Sequence, residues 1–276
     1  MKNIHDNLLY KALDIAKEAG KVILEVYNTN FKVSYKQDQS PLTIADKRSH
    51  KIIVTKLKEL TPQFPILSEE GKDIPYEVRR QWEYFWLVDP IDGTKEFINR
   101  NGEFTVNIAL IEKNRPVLGI IYVPVKNILY YAQRGKGAFK LEGEKLIRLR
   151  VNKNISKNGY RVIISRSHAT REVDDFLKDI SIKEKISAGS SLKFCLVAEG
   201  RADIYPRFSP TMEWDTAAGQ AIVEQTRGKV ISFETSTPLK YNKVNLLNPW
   251  FIATKATLKC NISRHVRRFR MSFNHF

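Results

Sequence analysis

The sequence predicts an α+β half, residues 1–155, followed by an α/β half, residues 156–276, packed tightly because no long linker separates them. Three patterns lead to this. Apolar residues recur at helical spacing up to about residue 60. Short apolar stretches separated by turn residues then run to about residue 141. Beyond residue 158, strand-like and helix-like stretches alternate.

Asp6 suits the N-cap of a first helix whose stripe is Leu9, Leu13, Ala16, Gly20, Ile23 and Tyr27. A short strand over Phe31 to Tyr35 precedes the polar loop Lys36 to Ser40. A second helix is expected from near Thr43, turning Ile44, Ile52, Ile53, Leu57 and Leu60 inward until Pro62 stops it. Asp46 falls in its first turns, where an acid ordinarily complements the helix dipole at the surface. Pro65 to Ser68 reads as a short strand ending in Glu69-Glu70-Gly71. If it neighbours the next strand, it brings one of these glutamates to that strand's end.

That next strand is Tyr84 to Val88, which runs into Asp89-Pro90-Ile91-Asp92-Gly93-Thr94. Pro90 cannot donate to a ladder and Gly93 permits positive φ, so the strand is expected to end here in a sharp turn. Two carboxylates three residues apart on such a turn can share one small volume. They are stable there if a cation lies between them or one is protonated. Carboxylates plus the Ile91 carbonyl are ligands that hard Mg²⁺ prefers. The competing reading is that Asp89 and Asp92 only make turn hydrogen bonds.

Thr105 to Ile111, Val117 to Val123, Ile128 to Gln133 and Ala138 to Leu141 then form an antiparallel meander. The second half reads as strand Arg161 to Ser165, helix Glu172 to Leu177, strand Lys185 to Ala188 and helix Leu192 to Glu199. Strand Ala202 to Tyr205, helix Asp215 to Gln225 and strand Lys229 to Phe233 follow.

Composition is that of a globular protein, 42% hydrophobic and 11% aromatic. No apolar run reaches the ~18 residues of a membrane span, and the amphipathic, acid-bearing start does not read as a signal peptide. A cytoplasmic protein is expected. Cys195 and Cys260 form neither a disulfide framework nor a zinc pattern. The net charge of +16 raises nucleic acid, anionic membrane and anionic substrate as partners. Lysines are scattered and no nucleic-acid motif accompanies them, so no nucleic acid is expected. A basic tail carries Lys255, Lys259, Arg264, Arg267, Arg268 and Arg270 without an acid. It reads as solvated, with peripheral contact to the anionic cytoplasmic face of the inner membrane as the minority reading.

A third acidic element is Trp214-Asp215-Thr216-Ala217-Ala218-Gly219, small residues at a helix start where amides favour an anion. Taken alone, Asp215 there is an N-cap. Together, Glu69-Glu70, Asp89 to Thr94 and Trp214 to Gly219 resemble, in order and spacing, the motifs of the inositol monophosphatase family of Mg²⁺-dependent, lithium-sensitive phosphatases. Asp92 to Ile98, Asn101 to Leu110 and Gly189 to Cys195 are similar to its bisphosphate nucleotidase branch. The likeness runs from about Leu8 to Ala253.

The resemblance implies a layered α/β/α/β/α sandwich with the site between its two halves. It implies Glu69, Asp89 and the Ile91 carbonyl around one Mg²⁺, and Asp89, Asp92 and Asp215 around a second, with a third, weaker ion near Glu69. Asp46 and Thr94 match the pair that orients and deprotonates the attacking water, with Glu69 counted among the catalytic residues. Gly93, Thr94 and Asp215 would hold the scissile phosphate. Gly189, Ser190, Ser191, Lys193, Arg207 and His168 are the candidates for the rest of the substrate, although Lys193 and Arg207 read equally as surface charge.

The activity implied is hydrolysis of the 3'(2')-phosphate of adenosine 3'(2'),5'-bisphosphate to AMP and phosphate, extending to phosphoadenylyl sulfate, in sulfur assimilation or nucleotide recycling. An inositol or sugar monophosphate phosphatase with the same metal core is the alternative. A basic nucleic-acid-associated protein is the reading from another class.

Overall fold

The computed structural model describes residues 2–36, 41–151, 158–167 and 170–255. His168 and the tail from Lys259 to Arg270 lie outside these residues. Helix α1 (Lys2–Tyr27) begins upstream of Asp6. Asp6 is therefore not its N-cap, since nothing from Lys2 to His5 breaks a helix. The short strands β1 (Val33–Tyr35) and β2 (Pro41–Thr43) pair antiparallel, and β2 leads straight into α2 (Ile44–Leu60). Thr43 caps α2. Its Oγ accepts from Ala45 N at 3.2 Å, and both its N and its Oγ donate to Asp46 Oδ2 at 2.7 Å. Asp46 is consequently buried, at 2% exposure, and not the surface acid its position suggests.

Strand β3 (Ile66–Ser68) and helix α3 (Tyr76–Arg79) precede β4 (Tyr84–Asp92), which is followed at once by α4 (Thr94–Ile98). The chain then runs through β5 (Thr105–Glu112), β6 (Arg115–Val123), β7 (Ile128–Gln133), β8 (Gly137–Glu142) and β9 (Lys145–Leu149). β3 pairs parallel to β4; from β4 onward the strands form an antiparallel meander in sequence order, a seven-stranded sheet. β9 was not anticipated, because an edge strand as charged as Lys145 to Leu149 has little apolar alternation.

β4 also departs from expectation. It does not stop at Asp89. Asp89 pairs with Asn107 and Asp92 with Thr105, while Pro90 and Ile91 bulge between them. The bulge takes Pro90, which has no N–H, out of the ladder without ending the strand. The turn comes one residue later, at Gly93 with φ 90°.

The remaining elements are β10 (Tyr160–Ser165), α5 (Arg171–Leu177), β11 (Ile182–Ala188), α6 (Leu192–Ala198), β12 (Ile204–Arg207), α7 (Glu213–Gln225), β13 (Lys229–Ser232) and β14 (Phe251–Thr254). They make a five-stranded sheet of order β11-β10-β12-β14-β13, parallel across β11, β10 and β12 and antiparallel around β14. Four apolar residues without period mark β14, too few to recognise from sequence.

Alternate residues of each strand build the layers. Trp86, Val88, Ile108, Ile120 and Tyr122 face α1 and α2 on one side of the larger sheet. Phe85, Leu87, Ile121 and Tyr130 face α6, α7 and the inner side of the smaller sheet, where Ile163, Tyr205, Val230 and Phe251 lie. The outer side of that sheet, with Val162, Ile204 and Ile252, is covered by Val173, Phe176 and Leu177 of α5. The result is a helix–sheet–helix–sheet–helix sandwich. No helix among the described residues is long and apolar enough to cross a membrane.

Candidate active site

The motifs converge where β3 and β4 end, facing the N-termini of α6 and α7. Glu69, Asp92, Gly93, Thr94, Ser190, Ser191, Lys193, Arg207 and Asp215 line one cleft of about 260 Å³. Parallel pairing makes this possible: Ser68 is opposite Val88, and Glu69 N donates to Val88 O at 3.1 Å, so Glu69 arrives beside Asp89. Asp89 itself, at 2% exposure, lies beneath the cleft wall with Ile91. Ser49 of α2 ties the bulge down through its Oγ, which donates to Pro90 O at 2.9 Å.

The acids also serve local geometry. Asp89 Oδ1 accepts from Ile91 N at 3.0 Å, Asp92 Oδ2 from Asn107 Nδ2 at 3.4 Å, and Asp215 Oδ2 from Met212 N at 2.8 Å. Turn and cap roles are therefore real. They do not explain the burial of so much like charge. Burial, and then repulsion from Glu69, Asp92 and Asp215, holds Asp89 well above the usual carboxylate range. Asp215 is raised in the same way by burial and by Asp92 and Glu69. Burial also raises Glu69, against the attraction of Lys36, and Asp92, against that of Lys193.

This all-oxygen set of mutually repelling carboxylates fits hard divalent cations. Among the described residues no three such side chains are already drawn onto one point. Part of the countercharge is Lys36, whose Nζ lies 2.9 Å from Glu69 Oε1 and also meets Glu70.

Asp46 comes from the first turn of α2 and Thr94 from the start of α4. Thr94 Oγ reaches the Ile91 carbonyl at 3.5 Å, and Asp46 is engaged by Thr43. No hydrogen bond joins the two among the described residues. Burial raises the Asp46 carboxyl, although the Thr43 hydrogen bonds oppose it.

The opposite wall is cationic, and neither cation is a surface residue. Lys193 is 5% exposed, with its ammonium 5.6 Å from the centre of the Tyr205 ring. Burial pushes it down to about 8, with Asp92 pulling the other way and Arg207 adding to the fall. Arg207, 7% exposed, donates to Ser165 Oγ and to Pro210 O, each at 3.2 Å, and its buried Nε has no partner among the described residues. It belongs to β12, which extends further toward the cleft than the strand expected at Ala202 to Tyr205.

The loop before α6 is held from the first sheet. Ser191 Oγ donates to Asn107 Oδ1 at 2.6 Å and meets Thr105 Oγ at 2.7 Å. Gly189 is behind the wall and donates its N–H to Glu103 Oε2 at 2.7 Å, the same carboxylate that takes both arms of Arg166. Tyr205, Thr211 and Phe251 also line the cleft and were missed. Apolar and hydroxyl residues on strand ends carry no sequence signal of a site.

The chain is similar to known proteins in both sequence and fold. A model of the inositol monophosphatase family matches residues 5–266. The chain is 47% identical over 252 residues to the 3'(2'),5'-bisphosphate nucleotidase CysQ of Salmonella typhimurium, covering 90% of this chain and 99% of that one. The crystal structure of CysQ from Bacteroides thetaiotaomicron, a bacterial member of the inositol monophosphatase family, superimposes with a TM-score of 0.80 at 48% identity, over 90% of this chain and 97% of that one. An IMPase from Thermotoga maritima, 23% identical, has the same fold, with a TM-score of 0.79 over 97% and 99% of the two chains.

Proposed function

The chain belongs to the inositol monophosphatase family, and on that premise we propose that it is a Mg²⁺-dependent 3'(2'),5'-bisphosphate nucleotidase. It converts adenosine 3'(2'),5'-bisphosphate to AMP and phosphate, and phosphoadenylyl sulfate to adenylyl sulfate, serving sulfur metabolism or nucleotide recycling in the cytoplasm. The observation that carries the substrate class is the polarity of the cleft. The acids Glu69, Asp92 and Asp215 share the cleft with two buried cations, Lys193 and Arg207, that an all-oxygen metal site does not itself require. A substrate with two separate phosphates matches that arrangement better than a monophosphate does.

Glu69, Asp89 and the Ile91 carbonyl would hold one Mg²⁺; Asp89, Asp92 and Asp215 would hold a second, with a third, weaker position near Glu69. When bound, these cations supply neutralisation of the ester oxygens, a lowered pKa for water and countercharge for the leaving oxygen. The protein's own part is positioning. Thr94 Oγ, at the N-terminus of α4, orients the attacking water and passes its proton toward Asp46, whose raised carboxyl is a competent acceptor. The amides of Gly93 and Thr94 and the start of α7 receive the phosphate oxygens. Lys193, Arg207, Ser190 and Ser191 hold the remote phosphate. A covalent intermediate is not needed, and Cys195 does not offer one: complete burial pushes its thiol well up.

The test is Mg²⁺-dependent phosphate release across adenosine 3',5'-bisphosphate, phosphoadenylyl sulfate, inositol 1-phosphate and sugar phosphates. The highest kcat/KM should fall on the first two. Faster turnover of inositol 1-phosphate overturns the substrate assignment while leaving the family intact.

A further inference from the structure

One buried acid on the cleft wall has no task in the scheme above. Glu96, on the first turn of α4, is only 4% exposed, yet it lines the cleft. It does not close a capping box on its own helix: Gly93 N donates to no side chain among the described residues, and the bond that Glu96 makes is to Ser167. Its Oε1 accepts from Ser167 Oγ at 2.6 Å. Its Oε2 has no hydrogen-bond partner among the described residues and lies over Gly93, where a Cβ would come within 3.1 Å of it. Gly189 packs against the stem on the far side, leaving 2.6 Å from a would-be Cβ to Glu96 Cγ. The carboxylate is thus fixed on two sides and open on the third. An oxygen held in this way is free to accept from a donor that enters the cleft.

Resting on the nucleotidase reading, we infer that Glu96 is a specificity residue whose Oε2 accepts the hydrogen bond of the sugar hydroxyl adjacent to the scissile phosphate. Three facts select this ligand group. Glu96 Oε2 lies over Gly93, which lines the same cleft as Thr94, so it stands beside the end proposed for the reaction. Its Oε2 is placed to accept, so the group that meets it is a donor. Its negative charge opposes a second phosphate at that place. Whichever of the two vicinal ribose positions carries the phosphate, the other then presents a hydroxyl to it. Asp92 and Lys193 are both near enough to feel the charge of Glu96.

The test pairs two compounds with three proteins. Phosphate release from adenosine 3',5'-bisphosphate and from 2'-deoxyadenosine 3',5'-bisphosphate is measured as kcat/KM on the wild type, Glu96→Gln and Glu96→Ala. The wild type should favour the ribose compound about ten- to a hundredfold, the range expected for a hydrogen bond to a charged group. Glu96→Ala should bring that ratio close to one, chiefly by losing activity on the ribose compound. Glu96→Gln, which keeps the shape and one acceptor oxygen, should retain part of the preference and serves if the alanine variant does not fold. A merely structural role would lower both substrates together and leave the ratio unchanged, which would overturn the inference, as would a wild-type ratio near one. If the wild type releases phosphate from neither compound, the substrate reading fails first and the inference falls with it.

Discussion

Lys193→Met separates the remote phosphate from the reacting one. The substitution removes the ammonium but leaves an unbranched side chain to pack against Tyr205, so loss of fold is not the expected result. Lys193 is buried, and its contact with a phosphate would be charge-assisted and little screened. Such a contact contributes about 1.5–3 kcal/mol. At about 1.36 kcal/mol per decade, that is roughly ten- to 150-fold in kcat/KM. The loss should appear with adenosine 3',5'-bisphosphate and be nearly absent with 3'-AMP, which carries only the scissile phosphate. pH gives a second readout. Burial depresses Lys193 to about 8, so the ammonium is present below that value and lost as pH rises through it. The wild-type advantage of the bisphosphate over 3'-AMP should therefore shrink between about pH 7 and 9, and the Met variant should show no such decline. Equal losses on the two substrates would place Lys193 at the reacting end; no loss on either would remove it from the substrate altogether.

Asp89→Asn should lower turnover at saturating Mg²⁺ by at least about a hundredfold while the chain stays folded; more than a tenth of wild-type activity would refute its place among the ligands. In chelator, Asp89 binds its proton more tightly folded than unfolded, so its contribution is full below the unfolded value of about 4 and is lost as pH rises through the folded value. The melting temperature of the metal-free protein should fall from about pH 4 upward, with a shallower slope in Asp89→Asn. Equal slopes would deny the buried repulsion. Mg²⁺ should support turnover, Ca²⁺ should bind without doing so, and Li⁺ should inhibit; full activity in chelator would end the metal reading. Gly119→Ala in β6 would place a Cβ 2.5 Å from the backbone oxygen of Ala218 in α7, which cannot move aside. A loss of about 1–3 kcal/mol is expected from such overpacking, read from thermal melting, and an unchanged melting temperature would contradict the close packing of α7 on the sheet.

How much of this could be read from the chain depends on the range of the interaction. Glu69 was legible because two adjacent strands, if parallel, bring their ends together, and both strands announced themselves by composition. The meander was legible for the same local reason. Pro90 misled because its missing donor has two remedies, ending the strand or bulging out of it, and only the pairing of Asp89 with Asn107 and Asp92 with Thr105 decides between them. Asp46 looked like a surface acid because its burial depends on β2 and the bulge folding over it. Lys193 and Arg207 were indistinguishable from the other basic residues in a chain holding 46 of them, since the difference is made by α6 and β12 being covered by other layers. β9 and β14 were lost for opposite reasons, one too charged and the other too short.

The layering also accounts for why the charges are sorted. Glu69, Asp89 and Asp92 come from the larger sheet, whereas Lys193 and Arg207 come from α6 and β12 of the smaller one. Each set alone would bury like charge. Docked, they face one another across the cleft, and the attraction between Lys193 and Asp92 works against the desolvation of both. Asp215 completes the acidic side from α7, which like α6 packs on both sheets. The site is therefore assembled only when the two sheets close on the helices between them. The +16 of the whole chain is a different matter. Exposed lysines are screened over about 8–10 Å at ordinary ionic strength, but Lys193 and Arg207, which line the cleft, are buried. Salt should accordingly slow the encounter of enzyme and substrate while leaving the preference for a second phosphate nearly intact, because that preference resides in charges that water and salt barely reach.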